Sequence, residues 1–274
     1  MTIIGMAKSD NTAAPRTLKT VTRSVDIINL LMELDRARLT EIADHVNMSK
    51  STTYTYLKSL EKSGLISRTQ NQYRLSANML VYGGYVRNNN ILYEIGKPEI
   101  DALATETGQY SHLVIEEHGR GINLYKAKGE EAVGDDYQIA KFQQRDYLHI
   151  TASGKAILAY LPEERVREIL NTHGLPSRTE ETITDRDELF NELDDIRERG
   201  FAYNDEEEIE GFRAVGAPIR DRNGTILGSL SVSAPISIFK DERFYDEIPE
   251  LVVNVANIIE VNINMSHRSS EITE

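Results

Sequence analysis

The chain has 274 residues, of which 40% are hydrophobic and 27% are charged, as expected for two water-soluble globular domains. It contains no cysteine, which excludes disulfides, thiolate nucleophiles and cysteine-ligated zinc. No apolar run reaches the ~18–20 residues of a membrane span, and the first residues lack the apolar core of an export signal, so we expect a cytoplasmic protein.

The charge is distributed unevenly along the chain. The net charge is −13, but residues 1–80 carry 11 Lys/Arg and 7 Asp/Glu, whereas residues 81–274 carry 20 and 37. A basic segment on an acidic body is typical of a protein that contacts DNA with only one part. Arginines (20) outnumber lysines (11), and with the acidic surface this suggests a high-salt cytoplasm, in which phosphate contacts are screened.

Three helices are predicted in the first 64 residues. The first covers residues 21–35, and its apolar stripe consists of Val21, Val25, Ile28, Leu31, Met32 and Leu34. Thr40 is expected to cap a short second helix, which ends at a turn formed by Asn47 and Met48. Ser49 is a suitable N-cap for a third helix that runs to Ser63 and stops at Gly64.

The third helix has two chemically different sides. Thr53, Tyr56, Leu57 and Leu60 face inward, whereas the opposite side carries hydroxyls, one aromatic ring and two cations with no acid among them. Two short strands, residues 65–68 and 72–75, follow around a polar tip at 69–71, so the pattern predicts a winged helix-turn-helix. A winged domain that binds a protein is the alternative. The predicted DNA contacts are Ser49, Lys50, Ser51, Thr52, Tyr54, Thr55, Lys58 and Arg68.

The rest of the chain alternates helical and strand patterns. Residues 77–87 predict a joining helix with possible hinges at Gly83-Gly84 and at 88–90, and this helix could pair with its copy in a dimer. Further helices are predicted over 95–107, 163–170, 186–199 and 242–264, and strands over 111–116, 122–127, 147–151, 212–219 and 225–233. An antiparallel sheet with helices on its faces makes this an α+β sensor domain.

These patterns divide the chain into five segments. We expect a flexible arm (1–17), the winged helix-turn-helix (18–76), a linker helix (77–94), an effector-binding domain (95–266) and a flexible tail (267–274).

A small-molecule site is predicted where a helix begins after Thr151. Its free backbone amides and small side chains favour a carboxylate or phosphate, and Ser231 and Ser233 would add two hydroxyls from one strand face. Lys155 is expected to pair with a carboxylate, and His149 to be a buried, hydrogen-bonded core residue. The acidic run 205–208 is interpreted as a solvated loop rather than a metal site, with the alternative that Glu206 or Glu207 orders the loop over the pocket. We predict no cofactor, no metal and no catalytic residue.

Several motifs together resemble the IclR family of transcription regulators, over residues 18–262. They are Leu39–Ala43, Met48–Thr52, Leu57–Leu60, Gly64-Leu65, Tyr73–Leu75, His149–Ala159, Thr182–Thr184, Arg197–Ala202, Glu206-Glu207 with Gly211, Ala217–Ile219 and Leu230–Pro235. The resemblance implies a GAF-like effector domain and a homodimer or homotetramer that binds operator DNA. It also implies a small carboxylate effector from a catabolic pathway.

The same resemblance implies which residues bind the effector: Ala152, Ser153, Asn204, Ala214, Ser231 and Ser233. The chain departs from the family at four positions. Asn204 replaces an acid and Ala214 a frequent cysteine, while Thr55 stands for the usual arginine and Tyr54 for a frequent histidine of the recognition helix. Removing the acid at 204 should favour a more anionic ligand or a sugar acid. The alternatives are an architectural DNA-binding protein without a ligand and an enzyme regulated by its N-terminal domain.

Overall fold

The computed structural model describes residues 17–133 and 145–271, with side chains through residue 266. Almost all of the predicted arm, residues 1–17, therefore lies outside the described residues. The described chain forms two compact units, which divide between Tyr85 and Val86. None of the helices in these residues combines the length and apolarity needed to cross a bilayer.

The first unit begins with three helices and a small antiparallel sheet. Helices α1, α2 and α3 span Lys19–Leu34, Leu39–His45 and Lys50–Lys62, and strands β1, β2 and β3 span Ala37–Arg38, Ile66–Thr69 and Gln72–Leu75. β3 lies between β1 and β2. Gln70 and Asn71 have φ angles of 50° and 65°, as the two-residue turn of a tight hairpin requires. The predicted winged helix-turn-helix is confirmed, and β1 is an additional strand.

The buried side of α1 differs from the predicted stripe. Ile27, Leu30 and Leu31 are buried, whereas the predicted Val21, Val25, Met32 and Leu34 are exposed. Helix α1 has apolar residues on two adjacent faces, and helical spacing alone does not decide which face enters the core. The face that contacts Leu57 and Tyr73 is the buried one. The prediction of the helix is confirmed, but that of its core face is wrong for these four residues.

Of the two predicted N-cap residues, the one for α2 is wrong and the one for α3 is confirmed. Arg38, not Thr40, is the N-cap of α2, because the Glu41 carboxylate accepts a hydrogen bond from the Arg38 backbone N–H at 2.6 Å. Thr40 lies inside the helix. Ser49 caps α3 as predicted and accepts a hydrogen bond from Thr52 N at 3.1 Å. Gly64 follows that helix with a φ of 74°, the left-handed backbone expected of a terminating glycine.

The helix predicted between the two domains is observed as α4, Met79–Asn88. Gly83 and Gly84 lie within it, and a Cβ at either position would meet nothing within 4 Å. No residue of this helix is buried. The two glycines are therefore part of a continuous, exposed helix.

The described part of the second unit contains a six-stranded antiparallel sheet with five helices. Helices α5 to α9 span Ile91–Thr107, Ala152–Tyr160, Glu163–His173, Arg186–Arg199 and Ile248–Glu271. Strands β4 to β9 span Tyr110–Glu117, Arg120–Lys128, Asp146–Tyr147, Ala202–Asp205, Phe212–Arg220 and Ile226–Pro235. The strand order is β6-β5-β4-β9-β8-β7. A short 3-10 turn, Leu148–Ile150, precedes α6, and a π turn, Arg243–Glu247, precedes α9.

Several boundaries differ from the prediction. α5 begins at Ile91 rather than Ile95, because the Asn90 side chain accepts a hydrogen bond from Leu92 N at 2.9 Å. α7 continues to His173, and α9 runs to Glu271, into the segment assigned to the tail. The predicted strand 147–151 is mostly the 3-10 turn. β7 is not predicted at all.

Two hydrophobic cores cover the two faces of the sheet. One lies between the sheet and the pair α5 and α9, and the other involves α6, α7 and α8. On β9, Leu230, Val232 and Ala234 belong to the first core. Because strand side chains alternate, Ser229, Ser231 and Ser233 face the opposite side, toward α6. The sheet therefore presents a row of hydroxyls to the start of that helix.

Candidate functional site

The recognition helix α3 presents the predicted DNA contacts to solvent. All eight of these residues are exposed, and Tyr54 is 47% exposed. They are Ser49, Lys50, Ser51, Thr52, Tyr54, Thr55, Lys58 and Arg68. Thr53, Leu57 and Leu60, on the other side, are buried in the core of the first unit or against it. The helix is thus fixed by its apolar side while its polar side stays open.

Polar side chains on this surface are held by local contacts. The Ser49 and Thr52 hydroxyls lie 2.8 Å apart, and Thr55 Oγ1 donates to Ser51 O at 3.2 Å. Lys58 forms an ion pair with Glu61 at 2.7 Å, and hydrogen bonding to Glu61 raises the pKa of this exposed lysine. None of the predicted contact residues is an acid, but Glu61, one helical turn from Lys58, brings a carboxylate to the edge of this surface.

Arg68 lies in the wing. Its Nη2 donates to Asn71 Oδ1 at 2.6 Å, and its guanidinium lies 5.4 Å from the centre of the Tyr73 ring. These contacts hold a cation at the exposed edge of the hairpin.

The candidate effector site begins at the N-terminus of α6. Thr151 is the N-cap, and its Oγ1 accepts a hydrogen bond from Gly154 N at 2.9 Å, while Lys155 N donates to Thr151 O. The backbone N–H groups of Ala152 and Ser153 have no acceptor among the described residues. Two free donors at the positive end of a helix dipole favour an anion.

The sheet brings the other predicted residues together in two neighbouring rows. Asn204, Ala214 and Ser233 are successive register partners on β7, β8 and β9. In the adjoining row, Gly216 of β8 is the partner of Ser231. All six predicted effector residues are therefore on α6 or on the sheet face that meets it.

Close packing joins this face to α6. A Cβ at Gly216 would lie 2.8 Å from Ala152 C and from Ser153 N, so only glycine fits there without a shift of the helix. Ser229 Oγ donates to Ser153 O at 2.9 Å. The start of α6 is consequently held against the strands that carry Ser231.

Asn204 differs from its predicted role in one respect. It is buried, its Nδ2 donates to Ile150 O at 2.7 Å, and its Oδ1 accepts from Glu207 N at 3.0 Å. Both ends of the amide are thus already bonded to backbone groups on the two sides of the site.

His112 is a site residue that sequence analysis missed. It is the register partner of Ser231 on β4, and its Nε2 lies 3.0 Å from Ser233 Oγ. The residue is only 3% exposed. The pairing of β4 with β9 joins residues more than a hundred positions apart, and no local pattern in the sequence indicates it.

A buried ion pair lies under the loop that follows β7. Lys155 Nζ is 2.5 Å from Glu207 Oε1, as expected of a lysine that pairs with a carboxylate. Glu192 lies 3.6 Å from the same ammonium and also binds Arg199 at 2.6 Å. Burial raises the pKa of Glu207 despite the attraction of Lys155.

The acidic run 205–208 is more ordered than the predicted solvated loop. Asp205 forms an ion pair with Arg213 at 2.6 Å, and the Glu206 carboxylate accepts a hydrogen bond from Gly211 N at 2.7 Å. Glu207 is buried. Among the described residues, no group of three or more His, Asp or Glu side chains could hold a metal ion.

His149 is buried and hydrogen-bonded, which confirms the prediction. Its Nε2 lies 3.1 Å from Pro176 O, and its ring meets Tyr147 edge-on with centroids 5.8 Å apart. Burial lowers the pKa of His149 to about 4, and the nearby Lys155 and Arg120 act in the same direction. The ring is therefore neutral at neutral pH.

Comparison with known proteins matches both units. Residues 20–70 match the IclR helix-turn-helix domain, and residues 83–261 match the C-terminal domain of the bacterial transcriptional regulator IclR. The probable HTH-type transcriptional regulator ArcR of Halobacterium salinarum is 37% identical over 254 residues, which cover 92% of this chain and 97% of that protein.

Solved structures agree with these matches. The IclR crystal structure from Thermotoga maritima superposes with a TM-score of 0.68 at 29% identity, covering 90% of this chain and 99% of that one. An IclR homologue from Microbacterium hydrocarbonoxydans, complexed with 4-hydroxybenzoate, has a TM-score of 0.73 at 21% identity and covers 90% and 98% of the two chains, so it supports the fold. The chain belongs to the IclR family and is a helix-turn-helix transcriptional regulator rather than an enzyme.

Proposed function

We propose that this regulator binds operator DNA under the control of a small organic or sugar acid, and that it controls a catabolic operon. In this proposal residues 18–76 bind DNA, residues 77–94 link the domains and residues 95–266 bind the effector. The effector shifts the protein toward the arrangement that it binds more tightly, and a coupling of about 1–3 kcal/mol would change DNA affinity roughly 5–150-fold.

The observation that carries the proposal is the pair of free N–H groups at Ala152 and Ser153, opposite Ser231 and Ser233. The amides would bind one carboxylate, and the hydroxyls would bind a second polar group of the ligand. Ala214, the register partner of Ser233, adds a small apolar side chain beside it. The homologue that holds 4-hydroxybenzoate is consistent with a small acid in this class of domain.

We assign Asn204 a positioning role within this site. Its amide joins the 3-10 turn before α6 to the loop that carries Glu207, so it holds the two walls together. An acid at this position would add a negative charge beside the ligand carboxylate. The neutral amide removes that repulsion, which favours an anionic effector.

The proposed DNA contacts come from α3 and the wing. Tyr54 and Thr55 would reach base edges in the major groove, whereas Lys50, Lys58 and Arg68 would bind phosphates. Ser49, Ser51 and Thr52 are small enough to let the helix approach the backbone of the duplex closely. Because Lys58 already pairs with Glu61, its phosphate contact must compete with that carboxylate.

We further propose that the protein acts as a homodimer or homotetramer. Exposed apolar side chains are concentrated on α1 and α4, at Leu18, Val21, Val25, Met32, Leu80, Val81, Tyr82 and Tyr85. Apolar surface of this kind is characteristic of a protein interface. Two winged domains in one dimer would meet half-sites about 34–36 Å apart, which links their spacing to affinity. Sedimentation equilibrium that finds only monomers would contradict this part.

A ligand screen followed by DNA binding tests the main proposal. Thermal stability of the full chain is measured with pyruvate, gluconate and 4-hydroxybenzoate, and a saturating effector at about 100 times its Kd should stabilise the protein by about 2.7 kcal/mol. Binding to the chain's own promoter region is then compared with random duplex, with and without that acid, at several KCl concentrations.

Two variants locate the response. The double variant Ser231→Ala with Ser233→Ala should lose the ligand-induced stabilisation but keep its preference for the promoter, whereas the exposed control Ser237→Ala should behave as the wild type. Thr55→Ala should lose promoter preference and retain the ligand effect. An equal affinity for promoter and random duplex in the wild type, under every condition, would refute the proposed DNA recognition.

A further inference from the structure

A groove of about 590 Å³ lies at the tip of the β4–β5 hairpin, beside the C-terminal end of α7. It is lined by Glu117, His118, Arg120, Ile122, Arg145 and His173. None of these residues belongs to the candidate effector site, so the groove is a separate feature of the second unit.

Two arginines in the groove have no acidic partner. The guanidinium of Arg120 lies 3.5 Å from the centre of the Tyr147 ring, and Arg145 is exposed. Within the described residues neither side chain forms an ion pair, although Arg165, Arg199 and Arg213 of the same unit each pair with a carboxylate at 2.6–2.8 Å. Residues 81–274 carry 37 acids against 20 cations, so two arginines against one glutamate in the groove lining give it a local excess of positive charge in an otherwise acidic unit.

The walls of the groove are held in place. His173 Nε2 lies 2.8 Å from His118 O, and Gly119 N donates to the Glu116 carboxylate at 2.6 Å. Arg165, on α7, binds the same carboxylate at 2.8 Å. A Cβ at Gly119 would lie 2.6 Å from the His173 ring, so the hairpin tip fits tightly against α7. The groove therefore exists before any ligand arrives.

The stacking of Arg120 also fixes its orientation. When a planar guanidinium stacks on an aromatic ring, its N–H groups point away from the ring edge within the guanidinium plane, where a ligand can accept from them. β5 and β6 place Arg120 opposite Tyr147, and Arg145, which directly precedes β6, lines the same groove as Arg120. Two planar forks on one surface match carboxylate or phosphate groups, which accept two parallel hydrogen bonds.

We propose that this groove binds an organic oxyanion of metabolite size, separate from the effector at α6. Its volume lies within the roughly 300–1,000 Å³ of small-molecule sites and exceeds what one inorganic ion needs. Arg120 and Arg145 bind the oxyanion groups, and Ile122 contacts the carbon skeleton. Glu117 accepts a hydrogen bond from a hydroxyl of the ligand, which selects hydroxylated carboxylates or phosphates.

Isothermal titration calorimetry of the full chain with citrate and with glycerol 3-phosphate, at constant KCl, tests the proposal. These probes separate the two sources of the oxyanion, a carboxylate and a phosphate. We expect at least one of them to bind with a Kd below about 1 mM. The double variant Arg120→Gln with Arg145→Gln should weaken that binding by about tenfold or more.

Three controls make the result specific to the groove. Arg167→Gln with Lys240→Gln removes the same two charges from exposed positions outside the groove and should bind the probe as the wild type does. Ser231→Ala with Ser233→Ala should also leave the titration unchanged. Circular dichroism and thermal unfolding confirm that each variant is folded.

Each remaining outcome counts against the proposal. It is overturned if neither probe binds the wild type, or if the groove variant binds normally. It is equally overturned if the charge control weakens binding as much as the groove variant does, because attraction to the probe would then be unspecific. Loss of binding in the serine variant would place the probe at α6 instead.

Discussion

Replacing Lys155 by methionine isolates the charge of a buried ion pair. The side chains of Lys155 and Glu207 are 2% and 9% exposed, and the two charged groups are 2.5 Å apart. Oε2 of Glu207 has no hydrogen-bond partner among the described residues. Methionine keeps most of the length and the apolar contacts of the lysine, so K155M removes chiefly the counter-charge of the buried carboxylate.

The size of the effect follows from these distances. At 2.5 Å the attraction between unit charges is about 7 kcal/mol for an effective dielectric constant of about 20, and the desolvation of both groups offsets much of it. Leaving one member of a buried pair without its partner typically costs about 3–5 kcal/mol. We expect K155M to lower the free energy of unfolding by that amount. The matched control K97M breaks the half-exposed Lys97–Asp101 pair, which solvent screens, and should cost much less than K155M.

The loss should also depend on pH, with a sign set by Glu207. Burial holds its pKa in the folded protein above the ordinary value, and Lys155 opposes that shift. K155M removes the opposition and raises the pKa further. A carboxyl whose pKa is raised on folding contributes most favourably below its unfolded pKa, and this contribution is lost as pH rises through the folded pKa. K155M should therefore be more strongly destabilised at about pH 8 than at about pH 5.

Urea unfolding followed by far-ultraviolet circular dichroism measures both effects. The double variant K155M/E207Q removes the unpaired carboxylate and should recover a large part of the stability. A K155M loss no greater than that of K97M, or a double variant no more stable than K155M, would refute the reasoning.

Two further substitutions test the packing around the site and the pH response. Gly216→Ala would place a Cβ 2.8 Å from the start of α6, so we expect a loss of about 1–3 kcal/mol and a weakened effector response in thermal-shift titrations. Gly84→Ala, in open space on α4, should instead stabilise by about 0.5–1 kcal/mol, and equal effects of the two would contradict the packing argument. Burial lowers the pKa of His149 to about 4. The stability that its neutral form contributes is present above the unfolded pKa of about 6.5 and is lost as pH falls toward about 4, up to about 3 kcal/mol. His149→Gln should flatten the change in urea midpoint over this range, and an unchanged slope would count against the assignment.

Local patterns were sufficient to predict most elements and to select residues that the fold brings together at the start of α6. The periodicity of α3 and the capping serine at 49 are local signals, and the alternation of β9 separates Ser231 and Ser233 from the leucine and valine between them. The small residues after Thr151 indicate a helix start with accessible amides. Each of these features depends on neighbours within a few positions of the chain.

What could not be predicted depends on distant partners. Val21 and Ile27 are both compatible with an apolar helix face, and only contact with α3 and β3 decides which is buried. His112 joins the site through the register between β4 and β9. The ion pair between Glu207 and Lys155 joins residues that are 52 positions apart in the sequence. A lysine near a helix start therefore indicates a carboxylate partner but not which one.

The two-sided character of β9 has a genetic consequence. Leu230, Val232 and Ala234 belong to one hydrophobic core, while Ser229, Ser231 and Ser233 face α6. A random mutant collection of this one strand should therefore divide into two phenotypes that alternate along the gene. If the proposed effector site is correct, codons 230, 232 and 234 would yield temperature-sensitive protein, and codons 231 and 233 would yield protein that accumulates normally but no longer responds to its effector. Mutations at alternating positions of this ten-residue strand would thus distinguish defects in folding from defects in the effector response in living cells.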